Sequence, residues 1–203
     1  MNAEDAFKKL PPEEQKIRRA LWEAMSHFVM QIIELMKPGA EQMEAELMMG
    51  LKPEDTIEMD DKLRRKLTED YRVAVERAAQ QGVELSMAWY NLATWTELGK
   101  ARIGYFARAL ECIESGRDEL PGSLEVRPPG RDPRLRADCL YEIARVHAHE
   151  GDAAVARDFL KRALPLAQEA EALREEAGEE DDGHLEAKIA ELLVQLPDDG
   201  EAK

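Results

Sequence analysis

The chain predicts an all-α fold of antiparallel helical hairpins, and three observations carry that expectation. Apolar residues recur at steps of three and four along most of the 203 positions, no segment alternates convincingly with period two, and glycine or proline closes most of the periodic runs. Composition agrees, because 44% apolar and 35% charged residues against 5% aromatic make a mixture rich in helix formers, suited to a folded chain rather than a disordered one.

The two prolines of "LPPEEQ" pre-set a first helical turn. From there Ile17, Leu21, Met25, Phe28, Ile32 and Leu35 trace one stripe on a helix of about 26 residues, which Pro38-Gly39 is expected to stop. A shorter helix over about 40–49 follows, ended by Gly50. Asp60 and Asp61 open a third, with Leu63, Leu67, Tyr71, Ala74 and Ala78 inward, and Gly82 closes it. A fourth covers about 83–98 with Leu85, Trp89, Leu92 and Trp95 inward, and a fifth about 101–115.

The run "GRDELPGSLEVRPPGRDP" then holds four prolines, three glycines and three arginines and reads as a loop. Asp132-Pro133 supplies an N-cap and a first-turn proline for a sixth helix, whose inward stripe is Leu135, Cys139, Ile143 and Val146 or His147. Gly151-Asp152 turns the chain into a seventh, where Pro165 is expected to impose a bend near Leu164. The acidic run "EEAGEEDDG" precedes a last helix with Leu185, Ile189, Leu192 and Leu196 inward.

The net charge of −15 argues against a general nucleic-acid binder, because a phosphate backbone would be repelled. The excess is concentrated: positions 168–203 carry 13 acidic and 3 basic residues, so the rest of the chain is nearly balanced. Cys112 and Cys139 lie within apolar helical patterns and read as reduced core residues. The first fifteen positions hold no apolar signal core, and no stretch reaches the roughly 18 apolar residues of a membrane span, so a cytoplasmic protein without a membrane contact is expected.

One hairpin carries a resemblance. Leu140-x2-Ile143-Ala144-x2-His147, then Ala156-x3-Leu160 and Ala163, with Gly151-Asp152 at the turn, resembles the tetratricopeptide (TPR) repeat in spacing and in most residue types. Small Ala144 and Ala156 let two helices approach closely, while Leu140, Ile143, Leu160 and Leu164 fill the space beside them. Trp89-x2-Leu92-Ala93 with Gly99 resembles the first helix of a preceding unit. The second helix of that unit fits less well: Tyr105 falls where a small residue belongs, and Ala109-x3-Ile113 suits the pattern only with four residues inserted.

The resemblance covers about 84–168. It implies a short TPR-like right-handed solenoid of stacked hairpins over 83–197 including a C-terminal capping helix, an N-terminal helical extension over 1–82, and a polar tail over 198–203. In such stacks the first helices of successive units line a concave groove that takes extended peptides or helices. Carried onto this chain, the groove positions are Met87, Tyr90, Asn91, Thr94 and Glu97 from one unit, and Asp138, Tyr141, Arg145 and His149 from the next. The sequence leaves open whether that groove is free or filled by the first helix or the loop of the same chain.

The remaining constellations point to no chemistry. His147 and His149, two apart, project from different helix faces, and there is no H-E-x-x-H, C-x-x-C or paired E-x-x-H, so neither a metal nor a cofactor is expected. No phosphate-binding glycine loop or nucleophile elbow is present, so the expectation is a non-enzymatic adaptor, assembly factor or complex subunit that binds a protein or peptide segment. Met25, Met30, Met36, Met43, Met48, Met49 and Met59 support an alternative, a regulatory bundle that pairs with itself through Met-rich N-terminal helices. The basic clusters Lys62 to Lys66 and Arg127, Arg131, Arg134 and Arg136 support another, an RNA- or DNA-associated subunit.

Overall fold

The computed structural model describes residues 3–48, 61–116, 133–176, 178 and 184–197, and every regular element among them is helical. In chain order these are α1 (Ala3–Lys8), α2 (Pro12–Met48), α3 (Asp61–Gln80), α4 (Ser86–Trp95), α5 (Lys100–Ser115), α6 (Pro133–His149), α7 (Ala153–Glu176) and α8 (His184–Gln195). No described helix is long and apolar enough to cross a membrane. The chain divides into two compact units, one spanning Pro11–Val83 and the other Glu84–Lys203 together with Met1–Leu10.

In the first of these, α2 packs on α3. Leu21, Met25, Phe28 and Ile32 are buried on one side, and Tyr71, Val75 and Ala78 on the other. The Phe28 and Tyr71 rings stack in parallel with centroids 4.3 Å apart. Arg18 is buried beside this seam and donates from Nε to Glu14 Oε1 at 2.9 Å, one helical turn away.

Two expectations are corrected here. Pro38-Gly39 does not stop the helix, and the separate short helix expected to follow is the continuation of α2 to Met48. A proline inside a helix removes one backbone hydrogen bond and crowds the preceding turn, which bends a helix more readily than it ends one when good helix formers lie on both sides. On α3 the inward stripe is rotated: Val75 is buried where Ala74 was expected, and Leu63 at the start of the helix is exposed.

In the second unit the helices pack in chain order, α4 on α5, α5 on α6, α6 on α7 and α7 on α8, and α6 also meets α8. Ala144 and Ala156 are fully buried where α6 meets α7, with Leu160, Ala163, Leu140 and Ile143 beside them. Gly151 takes the left-handed conformation at φ 88°, and the Asp152 N–H donates to the His147 carbonyl at 2.8 Å, closing α6. Gly116 ends α5 in the same way at φ 66°. Cys112 and Cys139 are buried and form no disulfide, as expected.

The preceding hairpin explains its irregular spacing. Tyr105 is accommodated because its ring stacks on Trp89, with centroids 5.8 Å apart, while Ala109 and Ile113 further along α5 are buried. Pro165 does not break α7, which runs from Ala153 to Glu176 with the proline on its exposed side. On α8, Leu185 and Ile189 are buried, as is Leu196 just beyond it. Arg157 of α7 donates to the carbonyls of Leu196 at 3.5 Å and Pro197 at 2.5 Å, a cation placed where the dipole of α8 favours one. The α1 helix was not foreseen; Ala6 on it and Leu10 just beyond it are buried.

Candidate protein-binding groove

On α4 the apolar side is set by Ala88, Trp89, Leu92 and Ala93, all buried, so the expected groove residues fall on the opposite side. Met87 is exposed, while Tyr90, Asn91 and Thr94 are half-buried; Glu97, just past the helix, is exposed. The Thr94 hydroxyl donates back to the Tyr90 carbonyl at 3.0 Å. The Tyr90 ring meets Phe106 of α5 edge-on, with centroids 5.5 Å apart.

Electrostatics place Tyr90 next to α6. Burial pushes its phenol well above the ordinary value, and the charges of Asp138 and Glu142, with Cys139, push the same way against Arg134. Asp138 is itself raised from 3.8, first by burial, although Arg134 pairs with it at 3.4 Å and Lys188 of α8 also favours its charge. One turn on, burial raises the Tyr141 phenol, with Arg145 opposing and Glu142 and Glu191 of α8 adding to it. Side chains of α4 on one side and of α8 on the other thus lie within electrostatic reach of α6.

Glu142 is the hub of this face. Its Oε2 accepts from Arg102 of α5 at 2.8 Å and its Oε1 from Arg145 at 2.8 Å. The Arg102 and Glu142 side chains are only 13% and 16% exposed, so this pair ties α5 to α6 in a largely desolvated place. Arg102 also lies 5.6 Å from the Phe106 ring centroid, and Arg145 5.9 Å from that of Tyr141. The Tyr90 and Tyr141 hydroxyls make no hydrogen bond among the described residues.

Of the nine expected groove residues, Tyr90, Asp138, Tyr141 and Arg145 form this connected cluster. Asn91 and Thr94 adjoin it, and Met87, Glu97 and His149 lie exposed around it. Arg102, Phe106, Glu142, Lys188 and Glu191 were not foreseen. The Glu142 to Arg145 spacing of three was a legible helical pair. The reach of Arg102 to a carboxylate 40 positions away has no local signature.

Three arginines of the basic clusters pair with acids: Arg64 with Asp61 at 3.0 Å, Arg134 with Asp138, and Arg136 with Glu114 at 3.4 Å. Arg127 and Arg131 lie outside the described residues. At the turn after α6, His147, Glu150 and Asp152 bring one potential ligand atom each within 4.8 Å of one another. His147 Nδ1 lies 3.5 Å from the Asp152 carboxylate, and its ring stacks on Phe159 at 5.8 Å. Both acids are exposed, and the same geometry serves to fasten the turn. Compared with protein-family models, with curated proteins and with solved structures, the chain matches none of them.

Proposed function

We propose that the chain is a non-enzymatic adaptor, assembly factor or complex subunit, whose hairpins from α4 to α8 stack as a short TPR-like right-handed solenoid. The face shared by α4, α6 and α8 takes a protein or peptide segment. One observation carries the reading: Tyr90 of α4 lies within reach of the Asp138 charge on α6, and Asp138 and Tyr141 of α6 lie within reach of the charges of Lys188 and Glu191 on α8. Alternate helices share a face in a stack of hairpins, where the intervening helices lie behind.

The chemistry of that face suits a peptide. Two half-buried aromatic rings offer hydroxyls that have no partner among the described residues, and Arg145 stands between Glu142 and the Tyr141 ring with nearly half of its side chain exposed. Rigid amphipathic rings and arginine are the side chains that adaptable protein-binding surfaces favour. The test is selection of peptides from a displayed random library by the whole chain, repeated with Tyr141→Ala and Arg145→Ala combined. Peptides that lose at least about tenfold in affinity for a variant with an unchanged melting temperature support the groove. Equal binding by both proteins places the contact elsewhere.

A further inference from the structure

Helix α2 has two apolar faces, and α3 covers only one. Trp22, Val29, Met30 and Ile33 form the second, and they are 53%, 38%, 56% and 51% exposed. At about 100° of rotation per residue this stripe lies roughly a third of a turn round the helix from Leu21, Phe28 and Ile32. Four large apolar side chains within twelve positions are more than scattered surface hydrophobics, and a contiguous patch of this kind marks a contact surface.

The order of residues along the stripe identifies what fits it. Ser26, small and exposed, sits at its centre. Trp22 lies four positions before Ser26 and Met30 four after; Arg19 lies seven before and Ile33 seven after, with Glu34 next to it. Reversing the helix about Ser26 therefore lays Trp22 on Met30 of the reversed copy and brings Arg19 beside Ile33 and Glu34 of that copy. Basic Lys16 and Arg19, with acidic Glu23 nearer the centre, precede it on the flank where acidic Glu34 follows it, and an antiparallel pair of helices brings like flanks together. On this flank a hollow of about 320 Å³, lined by Lys16, Arg19, Ala20 and Glu23 with Pro12 and Gln15, leaves room where the reversed copy would deliver Ile33 and Glu34.

We propose that this face of α2 binds a second copy of the same chain, antiparallel and two-fold symmetric about Ser26. Each copy contributes the face of α2 that its own α3 leaves open, so the two hairpins meet through their α2 helices. The contact is isologous, so every interaction occurs twice and assembly closes at two copies. It is independent of the groove on α4, α6 and α8, and either can fail without the other.

Sedimentation of the full chain over about 1–200 µM tests it. The expected result is a concentration-dependent dimer. Met30→Glu and Ile33→Glu, each on an exposed side chain, should raise the dissociation constant at least about tenfold while leaving the circular dichroism spectrum unchanged. Arg19→Glu and Glu34→Arg should each weaken the dimer by about three- to fivefold, and the two combined should restore it, because the swapped charges meet across the two-fold axis. A chain that stays monomeric across the range overturns the proposal, as does a dimer indifferent to Met30→Glu and Ile33→Glu. A charge-swapped double variant no tighter than its parents overturns the antiparallel arrangement.

Discussion

Asp138 sits where its charge is costly, and that cost is measurable. Burial outweighs the favourable pairing with Arg134, so the folded protein holds the carboxyl proton more tightly than the unfolded chain does. Stability then falls as pH rises from the ordinary carboxylate value through the raised folded one, and the full penalty is present above it. Asparagine cannot ionise, so Asp138→Asn should melt higher than the parent near pH 7, and the advantage should shrink toward about pH 4. Paired thermal melts at the two pH values check this, and an unchanged difference would mean that another group sets the profile. A simpler case is Leu160, fully buried between α6 and α7. Leu160→Ala should cost about 2–5 kcal/mol in a denaturant titration, the range of large-to-small changes in a tight core. At this scale the sequence was most informative where identity and spacing agreed, as at Ala144, Ala156 and Leu160. It was least informative for Arg102 and Lys188, because a long charged side chain is read as solvated until the fold supplies its partner.

Helices were legible where an apolar stripe ran between clear stops: α3, α5, α6 and α8 begin and end within one or two residues of their signals. Pro38, expected to stop its helix, lies inside a continuous one, as Pro165 does where only a bend was expected, because neighbouring turns and tertiary contacts can hold the helix through one missing hydrogen bond. The six residues of α1 are too few to show a period. Pro165 is exposed, so replacing it removes no core contact. Pro165→Ala restores a donor for the Lys161 carbonyl and should stabilise the chain by about 1–3 kcal/mol, somewhat less than the full helix-propensity difference because proline also restricts the unfolded state. Chemical denaturation of the two proteins measures it, and a destabilised variant would show that α7 needs the proline for its path.

For the molecule as a whole, the charge of −15 acts on any encounter between two copies. Two exposed ion pairs of the Arg19 to Glu34 kind together contribute about 1 kcal/mol or less, whereas the repulsion of two such acidic bodies is long-ranged and screened beyond about 10 Å at 0.1 M salt. Self-association through α2 should therefore tighten as salt rises from about 0.05 M to about 0.5 M, opposite to the response of a nucleic-acid contact, and sedimentation across that series reads the sign. The carboxylate of Glu142 has a different kind of consequence. Because each of its two oxygens serves a different arginine, a guest that draws Arg145 away to its own acid leaves the other oxygen still bound to Arg102. Occupancy and cohesion are thus uncoupled at this point: the wall can lend one hand to a visitor without letting go of the helix behind it.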